Sequence, residues 1–231
     1  EEFTGFLDRF LWNRWKIMYT ETISDALWRL LKRLDGFPDL KTGYLGGGTA
    51  LALQLGHRRS DDLDFFLPER FSTPALIQEL GKQGPTITVL TQTSRHTKLI
   101  VESLKVDLIR EQIPLTRPTL SIHSEIRNLK MADTVDIGRM KLLTIGSRGG
   151  RKDFVDLFCL TRDTISLKSL IALSIQENRG VRYSKLLFLK GLVDFEAADL
   201  EPDPVMIWEI DWDTVKKRLI TEVKQIASEI C

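Results

Sequence analysis

The chain has 231 residues, 42% hydrophobic and 28% charged, with 33 Lys and Arg against 32 Asp and Glu. That suits one or two globular domains with a real core. No apolar run approaches the roughly 20 residues of a membrane span, no basic-then-apolar leader opens the sequence, and two cysteines make no disulfide framework; a cytoplasmic protein with no membrane partner is expected.

Residues 4–18 and 20–34 read as helices, one with Phe6, Phe10, Leu11 and Met18 on a stripe, the other with Ile23, Leu27, Leu30, Leu31 and Leu34. Trp12 and Trp15 fall at helical spacing and read as core. Asp35-Gly36-Phe37-Pro38 stops the second helix. A strand at Tyr44-Leu45 then enters the turn Gly46-Gly47-Gly48. Thr49 is placed to cap a short helix carrying Leu51, Ala52 and Leu55, which Gly56 ends. After His57-Arg58-Arg59-Ser60 comes a second strand, Asp62-Leu63-Asp64-Phe65-Phe66. Alternate strand residues share a face, so Asp62 and Asp64 point one way and Leu63 and Phe65 the other.

Two carboxylates on one strand face repel unless a cation neutralises them. Oxygen ligands beside phosphates favour Mg²⁺, which keeps waters and uses few carboxylates. Backbone N–H groups at a glycine turn and helix N-terminus form an anion site. Together these features describe a place for a nucleoside triphosphate (NTP) and its metals.

Downstream, Thr73-Pro74 opens a helix to about residue 83. Segments 86–92, 97–102 and 104–110 read as an antiparallel meander, with 120–122 and 126–130 as further short strands. Asp107 lies on the face opposite Val106 and Leu108, an acid on an apolar strand. From Asp133 the pattern is helical: 134–148, a Gly149-Gly150 break, then a helix from Arg151, followed by 167–177, 184–193, 204–210 and 214–230. Lys141, Thr144/Ile145 and Arg148 share one helical face, and Asp153 and Asp156 another. Residues 139–190 carry 11 basic and 4 acidic side chains, and 191–231 carry 4 and 10. A basic block beside clustered carboxylates suits a polyanionic substrate, with Arg148, Arg151 and Lys152 at its centre.

Gly-Gly, a helix and acid-apolar-acid resemble the signature of the polymerase-β-like nucleotidyltransferase superfamily. The wording GGTALALQLGHRRSDDLDFF more narrowly resembles the AbiEii/AbiGii toxin family, and Lys141, Arg148, Lys152-Asp153 and Asp156 match a second family block in order. The resemblance implies an α+β fold with a small mixed sheet and flanking helices (1–132) and a helical half (133–231), the active site lying between them. It also implies triphosphate binding by Gly47, Gly48, Thr49, Arg59, Ser60, Lys141 and Arg148. Asp62, Asp64 and Asp107 would hold Mg²⁺, and Asp62, Asp64, Lys141 and Asp153 would be catalytic. The implied reaction is transfer of an NMP from an NTP to an acceptor hydroxyl, with RNA at a tRNA 3′ end favoured and a cognate antitoxin as possible partner. A protein or small-molecule acceptor, or a non-catalytic binder of the same fold, stays open.

Overall fold

A computed structural model describes residues 18–82, 84–110, 114–177 and 184–229. Most of the expected 4–18 helix, with Trp12 and Trp15, lies outside them. The expected 20–34 helix is a 3-10 turn, Thr20–Thr22, followed by α1, Asp25–Leu34. Ser24 caps α1 by accepting a bond from Leu27 N at 3.2 Å, and Leu27, Leu30, Leu31 and Leu34 are all 1% exposed or less. Each such leucine contributes about 1.5–3 kcal/mol of burial. At the end of α1 the Asp35 carboxylate accepts from the backbone of Asn128 (2.7 Å) and Leu129 (2.8 Å), tying the helix to the sheet.

The strands are β1 (Tyr44–Gly46), β2 (Asp62–Phe66), β3 (Ile87–Gln92), β4 (His96–Val101), β5 (Leu104–Ile109), β6 (Leu120–His123) and β7 (Ile126–Met131). They form one sheet in the order β3-β4-β5-β2-β1-β7-β6. The β3-β4-β5 meander is antiparallel as expected. The centre is mixed: β2 runs parallel to β5 and antiparallel to β1, which runs parallel to β7. The register sets Asp64 beside Asp107 on one side and Gly46 on the other. Asp62, Asp64 and Asp107 therefore emerge on the same face.

The helices after α1 are α2 (Gly47–Leu55), α3 (Thr73–Lys82), α4 (Thr134–Arg148), α5 (Arg151–Asp163), α6 (Leu167–Glu177), α7 (Lys185–Gly191), α8 (Glu196–Asp199) and α9 (Trp212–Ser228). Asp133 caps α4 and Asp211 caps α9 through side-chain bonds to Val135 N and Thr214 N. Helices α4 and α5 pack against each other and against α2, so one hydrophobic cluster runs from Ile23 to Ile226.

Two local expectations fail. Thr49 is not a cap: α2 already starts at Gly47, and Thr49 is its third residue. The segment 204–210 is not helical. Met206 bridges Arg58, Arg59 N donates to Val205 O at 2.8 Å, and Ile207 N donates to His57 O at 2.9 Å. Pro204, Met206 and Trp208 turn inward while Val205 and Ile207 stay exposed. That is strand periodicity, and it straps the loop carrying His57 and Arg58 in place.

Candidate active site

Two cavities share Arg148 in their lining, one at the seam between sheet and helices and one among the helices. The first, about 320 Å³, is lined by Gly48, Arg58, Ser60, Asp62, Asp64 and Lys141, with Arg148, Lys152 and Asp153 from the same helical side. Most of the side chains singled out in the sequence thus converge, although they come from five separate stretches of chain.

The glycine turn is shaped by what lies under it. Gly47 adopts φ +64°, and a Cβ there would stand 1.9 Å from Asp64 Oδ2. A Cβ on Gly48 would stand 2.3 Å from Arg58 Nη2. The first glycine thus admits the carboxylate and the second the guanidinium, both against the start of α2. Thr49 is buried, and its hydroxyl bonds the Asp62 carbonyl and the Ser60 hydroxyl (2.8 Å). Its hydroxyl fixes α2 to the approach of β2, while its backbone N–H lies in the first turn of α2. Ser60, by contrast, lines the cleft.

Burial pushes the Asp64 carboxyl up to about 6; Lys141 opposes the rise, while Asp107 and Asp62 add to it. Asp62 has only a loose contact with Lys105, at 3.8 Å between exposed side chains. Asp107 is engaged by His96 Nε2. Among the described residues no three His, Cys, Asp or Glu side chains are gathered as a finished metal cage. The donor set is hard, all oxygen, and crowded with like charge at Asp64, which is the chemistry a cation would relieve.

Opposite the acids lies a buried charge network. Lys141 Nζ donates to Asp153 Oδ1 and forms an ion pair with Asp156 Oδ2, each at 2.7 Å. Asp156, fully buried, also accepts from Arg58 Nε (2.6 Å) and Nη2 (2.9 Å) and meets His57 Nε2 at 2.8 Å. Burial works against the Lys141 ammonium, but Asp156 and Asp153 hold it well above its ordinary range. Burial would likewise raise Asp156; Lys141 and Arg58 overcome it and hold the carboxyl well below its usual range. Lys141 is therefore a permanent cation. Asp153 Oδ2 also accepts from Gly150 N at 3.3 Å, tying the start of α5 to Lys141.

Arg59 is exposed and absent from the cleft lining; Arg58, one residue earlier, faces it. Arg151 is spent internally, on Asp203 (2.6 Å), Ala198 O (2.9 Å) and Asp199 O (3.0 Å), and stacks over Trp212. Only Arg148 and Lys152 of that basic trio are exposed. Glu201, unforeseen in the sequence, reaches the rim of the cleft and accepts from Arg151 N at 2.8 Å. His57, Arg58 and Asp156 were legible as polar residues, but their mutual contact spans 98 or more positions.

The fold itself has a solved counterpart. MenT4, described as the nucleotidyltransferase toxin Rv2826c from Mycobacterium tuberculosis H37Rv, aligns over 84% of this chain and 83% of its own, with TM-score 0.50 and 18% identity. An uncharacterized protein of Aquifex aeolicus (strain VF5) is 32% identical over 194 residues, 79% of this chain and 86% of the relative. The profile of the family described as "Nucleotidyl transferase AbiEii toxin, Type IV TA system" matches residues 29–228. The match takes in the glycine turn, the strand acids and the lysine–aspartate helices alike. The chain belongs to the AbiEii family and is a nucleotidyltransferase toxin of the type IV toxin–antitoxin class.

Proposed function

We propose that the protein transfers an NMP from an NTP to a hydroxyl of RNA, at a tRNA 3′ end, in a Mg²⁺-dependent reaction that releases pyrophosphate. The observation that carries this reading is the convergence of Asp62, Asp64 and the permanently charged Lys141 on one cleft at the N-terminus of α2. The triphosphate lies against the backbone N–H groups of the glycine turn, with Ser60, Lys141 and Arg148 as its polar contacts. Arg58 lends charge from beneath Gly48. Asp62 and Asp64 would hold Mg²⁺, joined by Asp107 once it leaves His96; when bound, the metal supplies positive charge against the phosphates and the reacting oxygens. The acceptor oxygen bonds to the α-phosphorus as the bond to pyrophosphate breaks, and Asp153 takes the hydroxyl proton.

RNA is favoured because 139–190 carries a net charge of +7; part of it is paired to Asp136, Asp203 and Glu229, but Arg148 and Lys152 remain exposed at the cleft. The cognate antitoxin would be a protein partner, and the cytoplasm, which supplies NTP and tRNA, the place of action. Incubation with each labelled NTP, Mg²⁺ and total RNA tests the reading. Label in RNA supports it; label in protein or small molecules alone replaces the acceptor, and no label anywhere refutes transfer.

A further inference from the structure

We infer that the second cavity is a nucleotide subsite, taking a planar base against an apolar wall and the attached phosphate against Arg148 and Lys190. The inference rests on the nucleotidyl-transfer reading and deepens it. The cavity measures about 540 Å³ and runs between the end of α4 and the α7–α8 segment. That is in the range of roughly 300–1,000 Å³ for small-molecule sites. Arg148 lines both clefts, so a ligand in one borders a ligand in the other.

Its lining has the chemistry of a nucleotide. Leu187 is 44% exposed and Leu200 is 86% exposed. Single exposed leucines are ordinary, but two lining one cavity offer apolar surface for a flat ring to cover. Lys190 and Arg148 are exposed cations. Asp194 and Glu196 also line the cavity. They repel phosphate but accept hydrogen bonds from exocyclic amino groups, which favours cytosine, adenine or guanine over uracil.

A glycine, Gly146, lines the cavity. Gly146 lies inside α4, where glycine weakens a helix relative to alanine. A Cβ there would meet only Phe188 Cδ1 at 3.8 Å and Leu187 Cγ at 3.9 Å, both ordinary contacts. Packing does not require glycine at this position. Gly191 is the contrast: its Cβ would stand 3.0 Å from Gly146 Cα and from Ile145 O, so close helix approach does require it. Gly146 itself lines the cavity, beside Leu187.

The base has two sources, the incoming NTP or the end of the acceptor. In the full chain, Gly146→Leu puts a bulky side chain into the cavity lining beside Leu187 and Phe188, with folding checked by melting because overpacking can destabilise. Lys190→Glu, on the exposed surface, is the second variant should the first fail to fold. Affinities are read for each of the four NTPs with Mg²⁺, and for short single-stranded RNAs ending in each base. Loss of one base contact is expected to weaken binding about tenfold or more. A fall in NTP affinity assigns the subsite to the incoming nucleotide, and a fall in RNA affinity assigns it to the acceptor end. Unchanged affinity for both in a folded variant overturns the subsite alone. An unsubstituted protein that binds neither NTP nor RNA overturns the transfer reading itself, and the subsite with it.

Discussion

Asp156→Asn keeps the shape of a fully buried side chain and removes its charge. In the native protein that carboxylate accepts from Arg58 Nε and Nη2 at 2.6 and 2.9 Å, pairs with Lys141 Nζ at 2.7 Å, and meets His57 Nε2 at 2.8 Å. The substitution leaves Arg58 bonded to Arg59 O and Lys141 to Asp153. Removing one partner of a buried ion pair costs about 3–5 kcal/mol. The retained Lys141–Asp153 pair softens the loss, so about 3 kcal/mol is expected, or about 6–12 °C in Tm for a chain of this length. The pH dependence follows from the direction of the shift. Because Lys141 and Arg58 depress the Asp156 carboxyl below its ordinary value, its contribution is complete above the unfolded pKa of about 3.9 and is lost only as pH falls through the lower folded value. Thermal melts of both proteins from about pH 8 to pH 3 should show a constant gap down to about pH 5 that narrows below about pH 4. A loss under about 1 kcal/mol at pH 7, or a gap that closes between pH 7 and pH 5, would refute Asp156 as the hub of the network.

Asp64 should behave in the opposite sense. Its carboxyl, raised from 3.8 to about 6, costs up to about 3 kcal/mol at pH 7 at roughly 1.36 kcal/mol per unit. Without metal the protein should therefore melt higher as pH falls from about 7 to 5, because the folded state takes up the proton first. Asp64→Asn should be more stable than the native chain at pH 7 and lose most of that trend; an Asn variant no more stable would show that the acids are not crowded. Gly47→Ala puts a methyl against Asp64 Oδ2 at positive φ, so it should cost at least about 1–2 kcal/mol and abolish transfer; near-native activity and melting would show that the turn relaxes freely. Lys152→Glu should flatten the salt dependence of RNA binding, where each single-strand phosphate contact contributes a log–log slope of roughly −0.7. Arg151→Glu should lower Tm through the lost Asp203 and Trp212 contacts, and an unchanged Tm there would contradict its internal role.

The motif on β2 was legible because strand periodicity alone puts Asp62 and Asp64 on one face, and the parallel register with β5 then brought in Asp107. Lys141, Asp153 and Asp156 were legible by helical spacing. Which acid met the lysine was not, since both do. Arg58 and Arg59 alternate faces in extended chain, so one of them must point inward; only the strap formed by 205–208 decides which. The 204–210 segment misled for a related reason. Val205, Met206, Ile207 and Trp208 are all apolar, which erases the difference between a period of two and one of 3.6. Thr49 resembled a cap because Thr commonly is one, yet Gly47 at positive φ lets the helix begin three residues earlier, with Gly46 as its N-cap. Arg151 looked free until Ala198, Asp199 and Asp203 arrived from about 50 positions away.

The most direct measurement is transfer of label from α-³²P-NTP to RNA by the unsubstituted protein, Asp62→Ala and Lys141→Ala, with folding of each checked by melting. The native protein should label RNA only with Mg²⁺ present. Asp62→Ala should be folded and inactive, since Asp62 is half-exposed and packs little. Lys141→Ala should lose NTP affinity as well as transfer. Full activity in a folded Asp62→Ala protein, or labelling that proceeds equally in EDTA, would contradict a carboxylate cleft that works through a divalent cation.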